Sequence, residues 1–368
     1  MHIRNLSVVN FKNIGEAEIS FSSKLNCFVG DNGAGKTNLL DAVYYLSFCK
    51  SFFNPTDQLN VKHDESFFML KGKYNRLESE ENIHCSLQKG NKKQFKRNSK
   101  TYTKFADHIG LLPLVMISPS DSVLIRGGSD ERRKFVDGVI SQFDHEYLNN
   151  LLNYNRALNQ RNVLLKQFAS GNQFDAEILD VWDMQLIEYG KKIHEDRKVF
   201  VEKLKPVFQH YYSLISQRNE LVGLIHQSDF YTDDFETVFK NALAKDRILQ
   251  YTTVGIHKED LLLNIGNFQI KKLGSQGQIK TFLIALKMAQ FEFLKEISGI
   301  KPILLLDDIF DKLDKNRVEE IIKLVSDEHF GQIFITDTNR EHLDGIIRSA
   351  KADYKIFNVK KGLVSEEL

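Results

Sequence analysis

The fold of this chain is decided by the segment Gly30-Asp31-Asn32-Gly33-Ala34-Gly35-Lys36-Thr37, which reads G-x-x-x-x-G-K-T without a mismatch. In this pattern the glycines let backbone N–H groups turn inward around a polyphosphate. Lys36 reaches the β- and γ-phosphates, and the Thr37 hydroxyl binds Mg²⁺. An apolar strand pattern at Leu25–Val29 precedes the loop, and apolar residues at helical spacing follow it. The segment therefore predicts a phosphate-binding loop that holds ATP and Mg²⁺.

A second informative segment is Ile303-Leu304-Leu305-Leu306-Asp307-Asp308, a continuous apolar run that ends in two carboxylates. Such a run is typical of a central parallel strand that is buried on both faces. Its carboxyl end would lie beside the phosphate loop, where ligands bind in open α/β sheets. We therefore expect Asp307 to be the Mg²⁺-associated acid and Asp308 to orient or deprotonate the attacking water. Lys36, Asp307 and Asp308 are the catalytic candidates from these two segments.

Length and charge limit the other possibilities. The chain has 368 residues, which predicts about two or three domains. Its 50 basic and 49 acidic residues leave a formal net charge of +1. Proteins that coat nucleic acid or anionic lipid through overall charge show a large excess of one sign. Any polyanionic partner must therefore bind to a local basic patch.

The cysteines and the apolar segments bear on the compartment. Cys27, Cys49 and Cys85 form no C-x-x-C pair, which favours a reducing compartment and no zinc site. The N-terminus lacks the apolar stretch of a signal peptide. No apolar run approaches the about 18 residues that a membrane span requires. The sequence therefore predicts a cytoplasmic location without a membrane partner.

The hydrophobic pattern divides the chain into α/β ends and a helical middle. Strand patterns dominate up to about residue 117, and strands alternate with helices after residue 279, including a helix over 341–347. From about 130 to 215 the pattern is helical, with a break at 170–172, and Pro206 is expected to kink or divide the second helix. We predict an α/β domain formed by 1–125 and 250–368, with a helical arm over 126–249 inserted between them.

A basic stretch provides candidate residues for nucleic-acid binding. Its basic residues have no acidic residue between them, and Asn98-Ser99 suggests the turn of a hairpin. Basic side chains neutralise phosphates with little sequence preference, and the neighbouring aromatic residues either stack on bases or pack internally. A solvated hairpin without a ligand is the alternative. The DNA candidates are Lys92, Lys93, Lys96 and Arg97, with Arg132, Arg133 and Lys134 as a second group.

A further short motif is Gly274-Ser275-Gln276-Gly277-Gln278, directly before a predicted helix. Small residues at a helix N-terminus offer N–H groups and a positive dipole end to an anion. Placed ahead of Asp307, the motif resembles the signature loop of the ABC ATPases, with Ser275 at the serine position. Leu313-Asp314 then resembles the D-loop that follows the second acidic motif. The resemblance makes Ser275 a further catalytic candidate.

Several segments together resemble the RecF family of bacterial recombination mediators. They lie in the family's order along nearly the whole chain, at 30–42, 118–125, 127–137, 254–261, 273–280 and 304–314. The resemblance implies an ABC-type P-loop ATPase head with an inserted helical arm. It also implies that the protein binds ATP and DNA, dimerises with ATP between the heads, and acts with RecO and RecR in gap repair, DNA replication and the SOS response. Slow, DNA-stimulated ATP hydrolysis would serve as a switch.

Some features depart from related ABC proteins. Transporter-type members have a histidine where this chain reads Ile335-Thr336-Asp337-Thr338, and a glutamine that is missing from Ser118–Asp121. Asp308 stands where most ABC enzymes have glutamate. Two alternatives to a DNA-binding switch stay open: the ATPase subunit of a transporter, and a scaffold that binds ATP without hydrolysing it. His257 has no companion ligands at metal-binding spacing, so we expect it to make a structural hydrogen bond or a contact between the arm and the head rather than to bind a metal.

Overall fold

The apolar strand patterns at both ends of the chain become two sheets in one compact unit. A computed structural model describes residues 1–171, 174–217, 220–232, 234–310, 313, 315–326, 329–338, 340, 344, 347 and 353–367. The strands, in chain order, are β1 (His2–Phe11), β2 (Ile14–Ser20), β3 (Leu25–Val29), β4 (Phe67–Arg76), β5 (Ser79–Gln88), β6 (Gln94–Arg97), β7 (Lys100–Thr101), β8 (Leu114–Ile117), β9 (Val222–Gln227), β10 (Asp260–Ile265), β11 (Phe268–Gln269), β12 (Ile303–Asp307), β13 (Ile333–Asp337), β14 (Tyr354–Lys360) and β15 (Leu363–Glu367).

Helices are concentrated in the middle of the chain. The helices of the described residues, in chain order, are α1 (Lys36–Phe48), α2 (Ser122–Arg126), α3 (Ser129–Ile140), α4 (His145–Ala169), α5 (Ala176–Ser216), α6 (Phe235–Asn241), α7 (Leu243–Leu249), α8 (Ile270–Leu273), α9 (Gln276–Ser298) and α10 (Lys315–Ser326). The predicted helix over 341–347 lies largely outside the described residues. Short 3₁₀ helices lie at Asp57–Asn60, Phe105–His108, Pro119–Asp121 and Ile256–Lys258.

The first compact unit contains Met1–Asp121, Tyr211–Arg218 and Gln276–Leu368. One of its six-stranded sheets has the order β15-β14-β3-β13-β12-β8 and is parallel except for β15. The other is antiparallel, with the order β2-β1-β4-β5-β6-β7. Helix α1 packs against strands of both sheets, and one apolar core joins them. This α/β arrangement confirms the predicted fold class.

Strand β12 shows how sequence determines position in the parallel sheet. All five of its residues, Ile303–Asp307, are buried, and it pairs in parallel with β13 on one side and β8 on the other. Burial on both faces requires a continuous apolar run rather than an alternating pattern. The sheet therefore delivers Asp307 to its carboxyl edge, next to the loop that follows β3.

The second compact unit contains Ser122–His210 and Asn219–Ser275. Helices α4 and α5 run antiparallel, since Tyr147 contacts Arg197 and Arg161 pairs with Asp183. A three-stranded sheet of order β11-β10-β9 completes this unit. Residues 250–275, assigned to the head from sequence, fall in this second unit because β10 pairs with β9. An ion pair between Arg132 and Asp260 holds β10 to α3.

Pro206 does not divide the second long helix. Helix α5 continues through it from Ala176 to Ser216. A proline removes one N–H donor and leaves the carbonyl of residue 202 without its helical partner. Glu202 and Pro206 both lie on an exposed part of the helix, where water can solvate that carbonyl.

Candidate nucleotide site

The loop between β3 and α1 has the backbone that the glycine pattern requires. Gly35 has φ 119°, a left-handed conformation, directly before the first turn of α1. At Gly30 a Cβ atom would lie 2.2 Å from the carbonyl oxygen of Val359, so only glycine fits beneath β14. The loop thus needs glycine at Gly30 for a close backbone contact and at Gly35 for a left-handed conformation.

Lys36 lies inside this loop rather than in solvent. Its side chain is buried, and Nζ donates to the carbonyl oxygens of Gly30 at 2.7 Å and Asp31 at 3.1 Å. The ammonium group is therefore held where a phosphate bound in the loop would meet it.

Asp307 and Thr37 meet at the base of the loop. The Thr37 hydroxyl donates to Asp307 Oδ1 at 2.8 Å, across 270 positions in sequence. The hydroxyl of Thr336 donates to the same oxygen at 2.8 Å, and Ser118 Oγ lies 3.4 Å from Oδ2. Burial raises the pKa of Asp307 above its usual range, and hydrogen bonds from Thr37, Thr336 and Ser118 together with the charge of Lys36 oppose that rise.

These residues fit ATP and Mg²⁺. A carboxylate and a hydroxyl are oxygen ligands of the kind that Mg²⁺ prefers, and Asp307 has no basic side chain hydrogen-bonded to it among the described residues. The loop adds the buried ammonium of Lys36 for phosphate oxygens. The pair Thr37 and Asp307 would hold the metal ion, as the sequence predicts.

Asp308 follows directly and has an unusual backbone. Its φ is 45°, in the left-handed region that non-glycine residues rarely adopt. Its N–H donates to Thr336 Oγ1 at 3.0 Å and to the Thr336 carbonyl oxygen at 3.3 Å. Asp307 and Asp308 therefore both hydrogen-bond to Thr336, which was not predicted as a site residue.

Other residues that support the loop were also not predicted. The Asn13 side chain, in the turn between β1 and β2, donates to the carbonyl oxygens of Gly33 and Ala34. Its Oδ1 accepts from Asn38 on α1 at 2.8 Å, and the Gly362 N–H donates to the Ala34 carbonyl at 2.8 Å. In the sequence, this support is indicated only by two asparagines: Asn13 in a turn, and Asn38 directly after the G-K-T motif.

Ser275 and the D-loop segment are placed differently. Ser275 lies directly before α9 at the end of the second compact unit, whereas Lys36 and Asp307 lie in the first. At Gly277 a Cβ atom would lie 2.5 Å from Arg317 Nη1, so the start of α9 is closely packed. Leu313 is described, whereas Asp314, predicted for the D-loop, lies outside the described residues.

Two of the four predicted DNA residues have internal partners. Lys93 Nζ lies 2.7 Å from Asp57 Oδ2, and its side chain is only 9% exposed. Arg97 forms a two-point ion pair with the buried Glu81. Phe95 is buried between neighbouring rings, so it packs internally. Lys93 and Arg97 thus have partners within their own compact unit, and the assignment of all four residues to DNA stays a prediction.

The register of the antiparallel sheet reveals a different basic surface, which we call the outer basic row. Lys71 on β4 lies opposite His84 on β5, which lies opposite Lys96 on β6. Lys73 points to the same face two residues along β4. Burial, together with the charges of Lys71 and Lys96, lowers the pKa of His84. The outer basic row is therefore Lys71, Lys73 and Lys96 around His84.

The second group of basic candidates is largely structural. Arg132 is buried and pairs with Asp260, and Arg133 contacts Asp130 and donates to the Glu259 carbonyl. His257 accepts from the Tyr154 hydroxyl at 2.8 Å and donates to the Thr252 carbonyl at 3.0 Å. Its predicted structural role is therefore what the contacts show.

One other group in the described part of the chain has metal-ligand chemistry. His194, His226 and Glu259 place nitrogen and oxygen atoms within 4.8 Å of one another. Glu259, however, already pairs with Arg197 at 2.6 Å and accepts from Ser228 at 2.5 Å. Burial alone would raise the pKa of Glu259, but His194, His226 and Arg197 hold it well below its usual range. The group is a compensated ionic network.

No helix of the described residues combines the length and the apolar character needed to cross a membrane.

Comparison with known proteins identifies the family of this chain. Residues 2–365 match the family described as the RecF/RecN/SMC N-terminal domain. The chain is 52% identical over 367 residues to the DNA replication and repair protein RecF of Bacteroides thetaiotaomicron, covering 100% of this chain and 99% of that protein. It is 51% identical over 359 residues to RecF of Flavobacterium johnsoniae, covering 98% of this chain and 100% of that protein.

Solved structures extend the comparison to the fold. The chain resembles the recombination mediator protein RecF-ATP of the RecFOR pathway, with a TM-score of 0.89, 30% identity, and coverage of 100% of this chain and 98% of that one. The Smc head domain from Pyrococcus furiosus shares the fold alone, with a TM-score of 0.59, 16% identity, and coverage of 100% and 96%. The chain belongs to the RecF family of DNA replication and repair proteins, which are built on an ABC-type ATPase fold.

Proposed function

We propose that this protein is an ATP-dependent DNA-binding switch of recombinational repair that closes as a dimer on ATP and opens on hydrolysis. The observation that carries the proposal is the 2.8 Å hydrogen bond between Thr37 and Asp307, which joins the phosphate loop to the acidic strand. A Mg²⁺ ion held by this pair would neutralise charge on the phosphates of ATP.

Different groups of the loop bind the phosphates of ATP in different ways. Backbone N–H groups from Gly30 to Thr37 surround the phosphates, and Lys36 contributes the positive charge. Asp308 takes a proton from the attacking water while the water oxygen bonds to the γ-phosphorus and the bond to the ADP oxygen breaks. The products are ADP and phosphate, and the proton passes from Asp308 to solvent. We propose slow turnover that DNA stimulates.

Dimerisation would complete the site. By resemblance to ABC ATPases, Ser275 of one protomer faces Lys36 and Thr37 of its partner across the bound ATP. Ser275 stands at the start of the long helix α9, whose N-terminal N–H groups favour an anion. Two ATP molecules would thus stabilise the closed dimer.

The outer basic row is our proposed contact for DNA phosphates. Lys71, Lys73 and Lys96 project from one face of an antiparallel sheet whose opposite face is buried. With a net charge of +1, the protein depends on such local elements for its grip on DNA. We propose single-stranded, gapped or junction DNA as the ligand, loading of recombinase with RecO and RecR as the role in replication and the SOS response, and the cytoplasm as the location.

Family membership disfavours the transporter alternative, and the scaffold alternative can be tested. We would measure phosphate release and sedimentation with ATP and gapped DNA for wild type, Lys36→Met and Asp308→Asn. Lys192→Met, at an exposed position of α5, is the matched control. We expect wild type and control to dimerise and release phosphate, Lys36→Met to stay monomeric, and Asp308→Asn to form a long-lived dimer. Equal phosphate release and dimer lifetime in wild type and Asp308→Asn would favour the scaffold.

DNA binding has its own test. Lys71→Glu with Lys96→Glu should weaken binding and lower the slope of log affinity against log salt by about one for each lysine that contacts a phosphate. Lys192→Glu with Lys203→Glu makes the same charge change on exposed positions of α5. If both double variants bind DNA like wild type, the outer basic row is not the contact.

A further inference from the structure

Thr336 occupies a special position among the buried residues at the nucleotide site. It is fully buried near the end of β13, where the parallel register places it beside Asp307. Its Oγ1 lies 2.8 Å from Asp307 Oδ1 and 3.0 Å from the backbone nitrogen of Asp308. One hydroxyl therefore contacts both acids of the site.

The direction of these two hydrogen bonds follows from chemistry. A backbone N–H can only donate, so the Thr336 oxygen accepts from Asp308. The single hydroxyl proton then goes to the carboxylate of Asp307, which accepts it. The hydroxyl thus links the side chain of one acid to the backbone of the next in a fixed order.

The link matters because the backbone of Asp308 is strained. A φ of 45° is costly for a residue with a side chain and persists only where the surroundings hold it. Both hydrogen bonds of the Asp308 N–H go to Thr336, one to its side chain and one to its carbonyl oxygen. The direction in which the Asp308 carboxylate leaves the strand therefore depends on Thr336.

We infer that Thr336 is a positioning residue for ATP hydrolysis, whose hydroxyl fixes Asp308 relative to Asp307. The inference rests on the proposed hydrolysis. Thr336 acts through the two acids, so its loss should slow the chemical step more than it weakens ATP binding.

A matched control separates this role from packing. Thr281 on α9 is also fully buried, and its hydroxyl has no hydrogen-bond partner among the described residues. Thr336→Val and Thr281→Val make the same isosteric change, yet only the first removes hydrogen bonds. Thr336→Ser keeps the hydroxyl and loses a methyl group.

The test measures kcat and KM for ATP with saturating Mg²⁺, together with thermal unfolding. We expect Thr336→Val to lower kcat by about tenfold with KM within about twofold of wild type. Thr336→Ser and Thr281→Val should stay within about twofold of wild type in both constants. If Thr336→Val does not fold, Thr336→Ala takes its place in the comparison.

Three outcomes would overturn the inference. Thr336→Val with the kcat of Thr281→Val would show that the hydroxyl has no role, and Thr336→Ser as slow as Thr336→Val would assign the effect to packing. A raised KM with unchanged kcat would assign Thr336 to binding. A wild type that releases no phosphate would refute the proposed hydrolysis and this inference together, whereas an active wild type with an equally active Thr336→Val refutes the inference alone.

Discussion

Asp307 and Glu259 are both almost fully buried carboxylates, but their partners differ. Asp307 accepts hydrogen bonds from the hydroxyls of Thr37, Thr336 and Ser118. Glu259 contacts the guanidinium of Arg197 at 2.6 Å, and His194 and Ser228 as well. Neutral donors orient a negative charge, whereas a guanidinium also cancels it.

The pKa shifts of the two groups follow this difference. Burial raises the pKa of Asp307 despite its hydrogen bonds and the nearby Lys36. For Glu259, the imidazoles and Arg197 overcome burial and hold the pKa well below its usual range. Asp307, the carboxylate proposed to bind a cation, is thus left under-compensated by the protein, whereas the structural carboxylate of Glu259 is compensated within the fold.

The largest expected effect is on stability. Glu259→Gln leaves Arg197 with one carboxylate partner, Asp137, and leaves a buried charge under-compensated. We expect the free energy of unfolding to fall by about 3–5 kcal/mol, measured by urea denaturation. Asp307→Asn, its counterpart, should change that free energy by about 1 kcal/mol or less. Equal destabilisation by the two variants would remove the distinction between the sites.

The next effect concerns activity and reverses the order of the two variants. Asp307→Asn removes the carboxylate proposed to associate with Mg²⁺, so ATP hydrolysis should fall by about 100-fold, or about 2.7 kcal/mol in the barrier. The folded fraction of Glu259→Gln should hydrolyse ATP at about the wild-type rate. Phosphate release per folded molecule measures both, and a Glu259→Gln variant as inactive as Asp307→Asn would contradict the comparison.

Acid should destabilise the protein through a neighbour of Glu259. Burial lowers the pKa of His257 to about 4. The unfolded chain, in which histidine has its ordinary pKa of about 6.5, binds a proton that the folded protein does not, so stability falls as pH drops below about 6.5. Between pH 7 and 5 this loss is about 2 kcal/mol.

Urea denaturation across that pH range provides the measurement. His257→Asn should show a shallower pH dependence than wild type, by about the same 2 kcal/mol. His63→Asn, the same substitution at an exposed position, is the control. A parallel pH dependence in wild type and His257→Asn would show that folding does not lower the pKa of His257.

The smallest effect is expected from metal ions at the histidine network. Since Arg197 already compensates Glu259, equimolar Zn²⁺ should shift the unfolding temperature by less than about 1 °C. One zinc ion bound per chain, and lost in His226→Ala, would show that the group around Glu259 binds a cation and would contradict the comparison. Calorimetric titration with Zn²⁺ decides between these outcomes.

The sequence predicted the parts of the site in which the functional residues and the hydrophobic pattern lie in one continuous segment. The strand that ends at Asp307 and the loop from Gly30 to Thr37 are both continuous, so their patterns predicted strand, loop and helix. Strands β14 and β15 were not predicted, because β14 is only partly buried and β15 is mostly exposed, so neither shows a continuous apolar run.

The sequence does not reveal a partner that lies far along the chain. Lys93 stands in a stretch without acids, yet Asp57 pairs with it across 36 positions. Arg97 is likewise paired with Glu81 on the neighbouring strand. Thr336 appears as an ordinary strand residue, and only the parallel register of β12 and β13 makes it a neighbour of Asp307.

The order of strands in the parallel sheet has a consequence for synthesis. Strand β3 leads into the phosphate loop, but its neighbours are β13 and β14, from the end of the chain. Directly before β13, the Gln332 side chain accepts from the N–H of Ile3 on β1 and donates to its carbonyl oxygen, 329 positions earlier in the chain. During synthesis, β3 can be paired on both sides only after the ribosome has also made β13 and β14, about 300 residues after Lys36. A chain released before β13 and β14 are made would leave β3 unpaired beside its phosphate loop, and we expect it not to bind ATP.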